Sequence, residues 1–227
     1  MHKYFKLFSA AFFSVLLIIS SDAFAQYKPG TYKGSAVGRS DKKHSGEIEV
    51  EVKVNEKGIE EIKVLKYDQS VDHKKYGKAV VKAEEEVPAN MTKKNSVDVD
   101  VISGATMSSI GLNLAVAKAL EKASLNKYKA GTYKGASVGR SDKKHSGEIE
   151  VEVTVSENAI TDIKVSKYDQ STDHKKYGKP VNEAKEKTPA AIVKGQSIDV
   201  DVISKATMST SGIQLAVAKA LEKARVK

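Results

Sequence analysis

The sequence predicts an α+β chain of two tandem small domains, each an antiparallel sheet with a few helices. Three observations carry that expectation. Tyr27 to Ala123 recurs as Tyr128 to Ala224 at a constant offset of 101 residues, without insertion. Within each copy a strictly alternating run stands beside a turn and a second apolar run, the pattern of a hairpin. Each copy then closes on a run with helical spacing, and strands followed by helices argue for α+β rather than a parallel α/β sheet.

The chain opens on a segment that is not part of the repeat. His2, Lys3 and Lys6 are basic, Leu7 to Ile19 is apolar apart from serines, and Ala23-Phe24-Ala25 has the small-x-small form of a signal-peptidase site. The apolar run is shorter than the roughly 20 residues a spanning helix needs. Residues 1–25 therefore read as an export signal cleaved after Ala25, and the mature chain works in the periplasm or outside the cell. Residues 26–123 form the first domain, 124–127 the linker and 128–227 the second. A repeat this long exceeds the about 20–50 residues of solenoid units, so the copies are domains rather than coils of an array.

Within the first copy, Gly30 to Val37 reads as an opening strand. Glu47 to Val54 places charges on one face and branched apolar residues on the other, and Ile59 to Tyr67 is its hairpin partner, with Ile62 and Val64 inward. Lys57-Gly58 makes the turn. The second copy has Asn158-Ala159 there, and asparagine tolerates the left-handed backbone that glycine supplies. Asp72 to Glu86 becomes helix-like and should stop at Val87-Pro88. Val97 to Ile102 alternates and reads as a last strand. From Ser108 to Ala123, the spacing of Ile110, Leu114, Ala117 and Leu120 puts them on one face of an amphipathic helix. About 100 residues per unit suffices for one small core apiece.

Composition narrows the chemistry. There is no cysteine, which removes disulfides, thiolate metal sites, c-type haem attachment and an acylated-cysteine anchor. The net charge is +9, but lysines are spread along the chain instead of forming the concentrated basic face that nucleic-acid binding requires. No P-loop, Gly-x-Gly-x-x-Gly fingerprint or nucleophile–base arrangement occurs. His44, His73, His145 and His174 sit beside lysines without the close spacing of metal ligands.

The stretch with most chemical content joins the last alternating run to the closing helix: Asp100-Val101-Ile102-Ser103-Gly104-Ala105-Thr106-Met107-Ser108-Ser109, repeated as Asp201 to Thr210 with Lys205 in place of Gly104. A small polar turn before a helix offers backbone N–H groups and hydroxyls to a phosphate. Alone, the same residues serve equally as a helix cap.

With this motif, the opening Gly-Thr-Tyr-x-Gly and the hairpin in order, each copy resembles the FMN-binding domain family. That family is related to the flavin-carrying subunits of sodium-pumping quinone reductase and to electron-transfer domains of exported reductases. Asp-x-x-Ser-Gly-Ala-Thr-x-Ser-Ser is present in full from Asp100 to Ser109. The resemblance implies FMN joined to Thr106 through a phosphoester, delivered from FAD by a separate magnesium-dependent flavin transferase. Asp100, Ser103, Gly104 and Ala105 are then its recognition context. In the second copy Thr207 is the corresponding acceptor, framed by Asp201, Ser204 and Ala206. Lysine resists positive φ and fills the space glycine left, so flavin on Thr207 is an open question.

Tyr32, Tyr67 and Tyr76, with Tyr133, Tyr168 and Tyr177, are aromatic candidates to flank the flavin ring, and equally candidates for packing. The expected role is a covalent flavoprotein shuttling electrons outside the cytoplasm, between a membrane quinone-linked donor and an exported acceptor. A self-sufficient reductase with noncovalent FMN is one alternative. An unflavinylated basic module for polyanions or envelope components is the other.

Overall fold

The computed structural model describes residues 27–226; the export signal, its cleavage point after Ala25 and Gln26 lie outside the described residues. Each repeat is a three-stranded antiparallel sheet covered on one face by two helices. In the first, β1 (Gly30–Val37), β2 (Glu47–Asn55) and β3 (Gly58–Tyr67) pair in that order, followed by α1 (Gly77–Lys94) and α2 (Thr106–Ala123). In the second, β4 (Gly131–Val138), β5 (Glu148–Val155) and β6 (Ile160–Tyr168) precede α3 (Gly178–Gly195) and α4 (Thr207–Ala224). Among the described residues no helix is long and apolar enough to cross a membrane.

Alternation in β2 does what its pattern requires. Ile48, Val50, Val52 and Val54 are buried, each contributing about 1.5–3 kcal/mol. The other face carries the pairs Lys66–Glu47 at 2.5 Å and Lys53–Glu60 at 2.9 Å. These exposed pairs contribute little apiece. Gly34 lies opposite Val50 on β1 and lets α2 approach closely, because a Cβ there would fall on the carbonyl oxygen of Ala115. Gly135 does the same against Ala216.

Five expectations are corrected. Helix α1 does not stop at Val87-Pro88; it continues to Lys94, with Pro88 inside it and buried. Its buried face, Val80, Ala83, Val87 and Met91, spans the proline, and that packing outweighs the lost backbone bond. Asn95, left-handed at φ 52°, ends it. The turn at Asn158 survives with Ser156 N–H donating to Ala159 at 2.9 Å, but Asn158 is not left-handed. Instead β6 begins at Ile160, whose N–H donates to Gln196.

Val97 to Ile102 is not a strand. Its alternation is real, since Val97 and Val99 are buried, yet side chains rather than a ladder satisfy its backbone. Val97 N–H donates to Glu222, Asn113 donates to the carbonyl of Val99, and Ile102 N–H donates to Ser109. Nor is α2 amphipathic: apart from Glu121 and Lys122 it is buried from Ser108 to Ala123. A helix apolar all round belongs inside a fold, and α2 lies between its own sheet, α1 and α4.

The two repeats accordingly share one main core instead of holding one apiece, with a small satellite of Val181, Ala184 and Ala206 in the second. Their interface is self-complementary about a pseudo-two-fold. Glu222 accepts from Ser96 and Val97, and Glu121 accepts from Ser197 and Ile198. Lys219 pairs with Asp98 at 2.8 Å, and Lys118 with Asp199 at 2.7 Å. From Val97 to Ile102 the partners step from Glu222 back to Lys219 on α4, and from Asn113 back to Ser109 on α2. The segment thus runs antiparallel to both helices, which places α2 and α4 in the same direction. Thr106 and Thr207 therefore stand at the same end of the helix pair.

Candidate functional site

The turn before α2 is built by bonds that look inward. Ala105, buried, is the N-cap residue, and its N–H donates to Ile102 at 2.9 Å. Ser109 Oγ donates to the Ala105 carbonyl and accepts from Ile102 N–H, both at 3.0 Å. Ser108 Oγ donates to Gln69 Oε1 at 2.9 Å. Gln69, fully buried, also accepts from Arg39 N–H at 2.8 Å and donates to Gly46 at 2.6 Å. One glutamine thus ties the β1–β2 loop to the first turn of α2.

What remains is a helix start whose serine hydroxyls, on Ser108 and Ser109, are spent elsewhere. No side chain caps α2. Among the described residues, neither the Thr106 hydroxyl nor the N–H groups of Thr106, Met107 and Ser108 have a hydrogen-bond partner. A stretch rich in serine and threonine would ordinarily supply the cap itself. Here it does not, and the half-buried Thr106 is left among unsatisfied donors at the positive end of a helix.

The other motif residues have distinct places. Gly104 is exposed at φ 84°, and a Cβ on it would lie 3.2 Å from Ala79 Cβ and 3.8 Å from the Tyr76 ring. The loop therefore abuts the start of α1. Ser103 is exposed beside it. Asp100 is exposed on the approach, and among the described residues it makes no side-chain bond to the loop.

The second repeat reproduces the frame. Ala206 is the uncapped N-cap, Ser209 donates to Gln170 at 2.9 Å, and Arg140 N–H donates to the same oxygen at 2.8 Å. Thr207 is half-buried, while Ser204 and Asp201 are exposed. Lys205 takes φ 66°, adopting the left-handed conformation that Gly104 has, with its side chain exposed. Lysine thus bears the strain and the loop keeps its shape.

The tyrosines separate into three groups. Tyr76 and Tyr177 border the loops, and the guanidinium carbons of Arg39 and Arg140 lie 5.2 and 4.1 Å from their ring centroids. Tyr67 donates to the Val80 carbonyl at 2.8 Å and is pushed up to about 12 by burial, against a hydrogen bond with Ser108. Tyr168 is its equivalent, also at about 12. Tyr32 and Tyr133 bond to Lys28 and Lys129, away from the motif. His73 accepts from Lys75 and Tyr76 N–H through Nδ1 at 3.2 Å each, and so shapes the turn into α1. His44 lies against Asp41 at 3.1 Å. The Ser70 hydroxyl, more than any other neighbour, holds the Asp41 carboxyl well below its usual range.

Sequence reading missed Gln69 and Arg39, with their equivalents Gln170 and Arg140. Both fall in blocks identical between the copies, but a recent duplication leaves the same trace. The sharper signal is arginine itself, used only at Arg39, Arg140 and Arg225 in a lysine-rich chain.

These residues fit a phosphate group carried by a threonine ester: among the described residues, N–H donors and a hydroxyl without partners stand at one helix start, and the Arg39 guanidinium lies over the Tyr76 ring that the loop abuts. A family model described as an FMN-binding domain matches the chain twice, over residues 44–121 and 145–222, at the offset of the repeat. Among solved structures, the chain is similar to the CPE2226 protein from Clostridium perfringens. That match has 23% identity and a TM-score of 0.34, covering 43% of this chain and 88% of that one.

Proposed function

The chain belongs to the FMN-binding domain family and is a flavin-binding protein; we propose that it carries FMN covalently and relays electrons outside the cytoplasm. Thr106 is the first acceptor and Thr207 the second. The observation that carries this reading is the Thr106 hydroxyl, without a partner, at an uncapped helix start inside a serine- and threonine-rich turn. A turn meant only to cap would have spent a hydroxyl on those N–H groups.

Attachment is a phosphoryl transfer. The Thr106 oxygen would form a bond to the FMN-side phosphorus of FAD as the pyrophosphate bond broke, with AMP leaving with the bridging oxygen. The hydroxyl proton passes to the transferase or to solvent. The product would be a phosphodiester with one negative charge, which the first N–H groups of α2 would hold. Gly104 keeps the approach to Thr106 open, while Ser108, Ser109 and Gln69 hold the turn rigid from behind.

The flavin supplies the one- and two-electron chemistry when bound; the chain supplies tether, orientation and charge. A covalent tether suits a protein acting outside the cytoplasm, where a dissociable cofactor is lost by dilution. The spread positive charge favours docking with acidic partners, here a membrane quinone-linked donor and an exported acceptor.

The test is co-expression with a flavin transferase, read by intact mass and by in-gel flavin fluorescence after denaturation. Wild type should gain two FMN increments, and Thr106→Ala and Thr207→Ala one each. A colourless protein, or one that sheds all its flavin on denaturation, sinks the covalent reading.

A further inference from the structure

Arginine is sparse and placed with care. Of three arginines, Arg39 and Arg140 are equivalent positions of the repeat. Both are half-buried, and among the described residues neither is in an ion pair, although Asp41 and Asp142 lie two residues away in sequence. Each backbone N–H is fixed at 2.8 Å by the glutamine oxygen that also receives Ser108 or Ser209 from the first turn of α2 or α4. Each guanidinium lies over a tyrosine ring, and that of Tyr76 is the ring Gly104 abuts. Among the described residues, then, a guanidinium without an ion pair is held on an aromatic ring, and that ring borders the loop leading to a helix start with free donors, an arrangement that suits an anion.

We propose that Arg39 and Arg140 are the cations that grip the phosphodiester at Thr106 and Thr207. This rests on the covalent reading above and adds the residues that recognise the ester. A phosphodiester presents two equivalent oxygens, which the planar guanidinium fork matches in bidentate fashion; an ammonium does not. The tyrosine restricts the fork before the ester arrives, so less freedom is lost on binding. Lys75 and Lys176, 5.1 and 5.3 Å from the same ring centroids, add positive charge without that geometry. In the second repeat Lys205 stands directly in the loop as a further cation. Arg39 therefore carries more of the recognition in its repeat than Arg140 does in its own.

The experiment uses the full chain, loaded by transferase and FAD, with the two sites followed separately by peptide mass. Arg39→Gln should slow loading of Thr106 about tenfold, the worth of one charge-assisted contact, and leave Thr207 at the wild-type rate. Arg39→Lys should recover only part of that loss. Arg140→Gln should slow Thr207 less than Arg39→Gln slows Thr106. In loaded protein, the phosphorus-31 resonance of the Thr106 ester should move in both Arg39 variants, a change that general loosening of the fold would not confine to one ester. Wild-type loading and an unmoved resonance in Arg39→Gln overturn the assignment and leave the covalent reading standing. A wild-type chain of bare mass overturns both, and is recognised before any variant is made.

Discussion

The loops before α2 and α4 have the same frame; a conservative Ser109-to-Thr210 exchange keeps its hydroxyl, and the difference that matters is Gly104 against Lys205 at the tip. Gly104 sits at φ 84°, where glycine is at ease; Lys205 sits at φ 66°, where an L side chain costs about 1 kcal/mol or more. Four features hold both loops: a buried alanine, its 2.9 Å bond back to isoleucine, a hydroxyl four residues on, and a buried glutamine hub. Against those constraints one unfavourable φ loses. The glycine at this point is a convenience of the fold rather than its cause. What it controls is access and charge at the tip.

Exchanging residues between the two loops and their supports should have effects from complete loss down to small shifts. The largest is chemical: Thr106→Ala should abolish the ester in the first repeat and leave the second intact, with Thr207→Ala giving the mirror result. If Thr106→Ala removes all flavin, the second loop is not an acceptor and the equivalence of the frames does not extend to function. Next is the shared scaffold. Gly34→Ala and Gly135→Ala each force a Cβ onto a helix carbonyl, and each should destabilise by about 3 kcal/mol in urea titrations. A large difference between them would mean that the repeats do not rely on the same close approach of strand to helix.

Lys205→Gly should stabilise by about 1 kcal/mol, a rise of roughly 2–4 °C in Tm, and should bring the loading rate at Thr207 toward that at Thr106. The reverse change, Gly104→Lys, should cost a similar amount and slow Thr106. No change in either Tm would remove the strain argument.

The smallest effect concerns the interface. Burial pushes the carboxyls of Glu121 and Glu222 up from 4.5, offset in part by their hydrogen bonds and by Arg225, with Asp199 and Asp98 adding to the rise. A raised folded-state value means that the folded chain holds the proton more tightly than the unfolded one. The stabilising contribution is full below about pH 4.5 and fades as pH rises through the folded values. Glu222→Gln should therefore gain on wild type as pH increases. Only the difference between variant and wild type isolates this limb, because Asp41, Asp68 and Asp72, all lowered, lose stability in acid. A difference independent of pH would remove the interface glutamates from the account.

Much of the fold was legible because its patterns are local. The repeat, the strands and both ends of the hairpin follow from alternation and turn residues. The errors arose where a local rule met a tertiary partner. Pro88 read as a stop, yet the helix's buried face runs through it. Val97 to Ile102 alternates like a strand, but the residues that bond its backbone are Glu222 and Asn113, the first more than a hundred positions away. The closing helix looked one-sided because its second neighbour, α4, belongs to the other repeat.

At the site the division is similar. Residue order alone determined the duplicated unit, the two threonines proposed as acceptors and the lysine that separates the two loops, because these depend on residue type and spacing. Tertiary structure decided that the hydroxyls of Ser108 and Ser109 turn inward, leaving Thr106 and the first N–H groups free. It also brought Arg39 and Gln69 to the loop, and set Thr106 and Thr207 at the same end of a shared helix pair. Those outcomes depend on which faces are buried against which, and burial is a property of the whole chain.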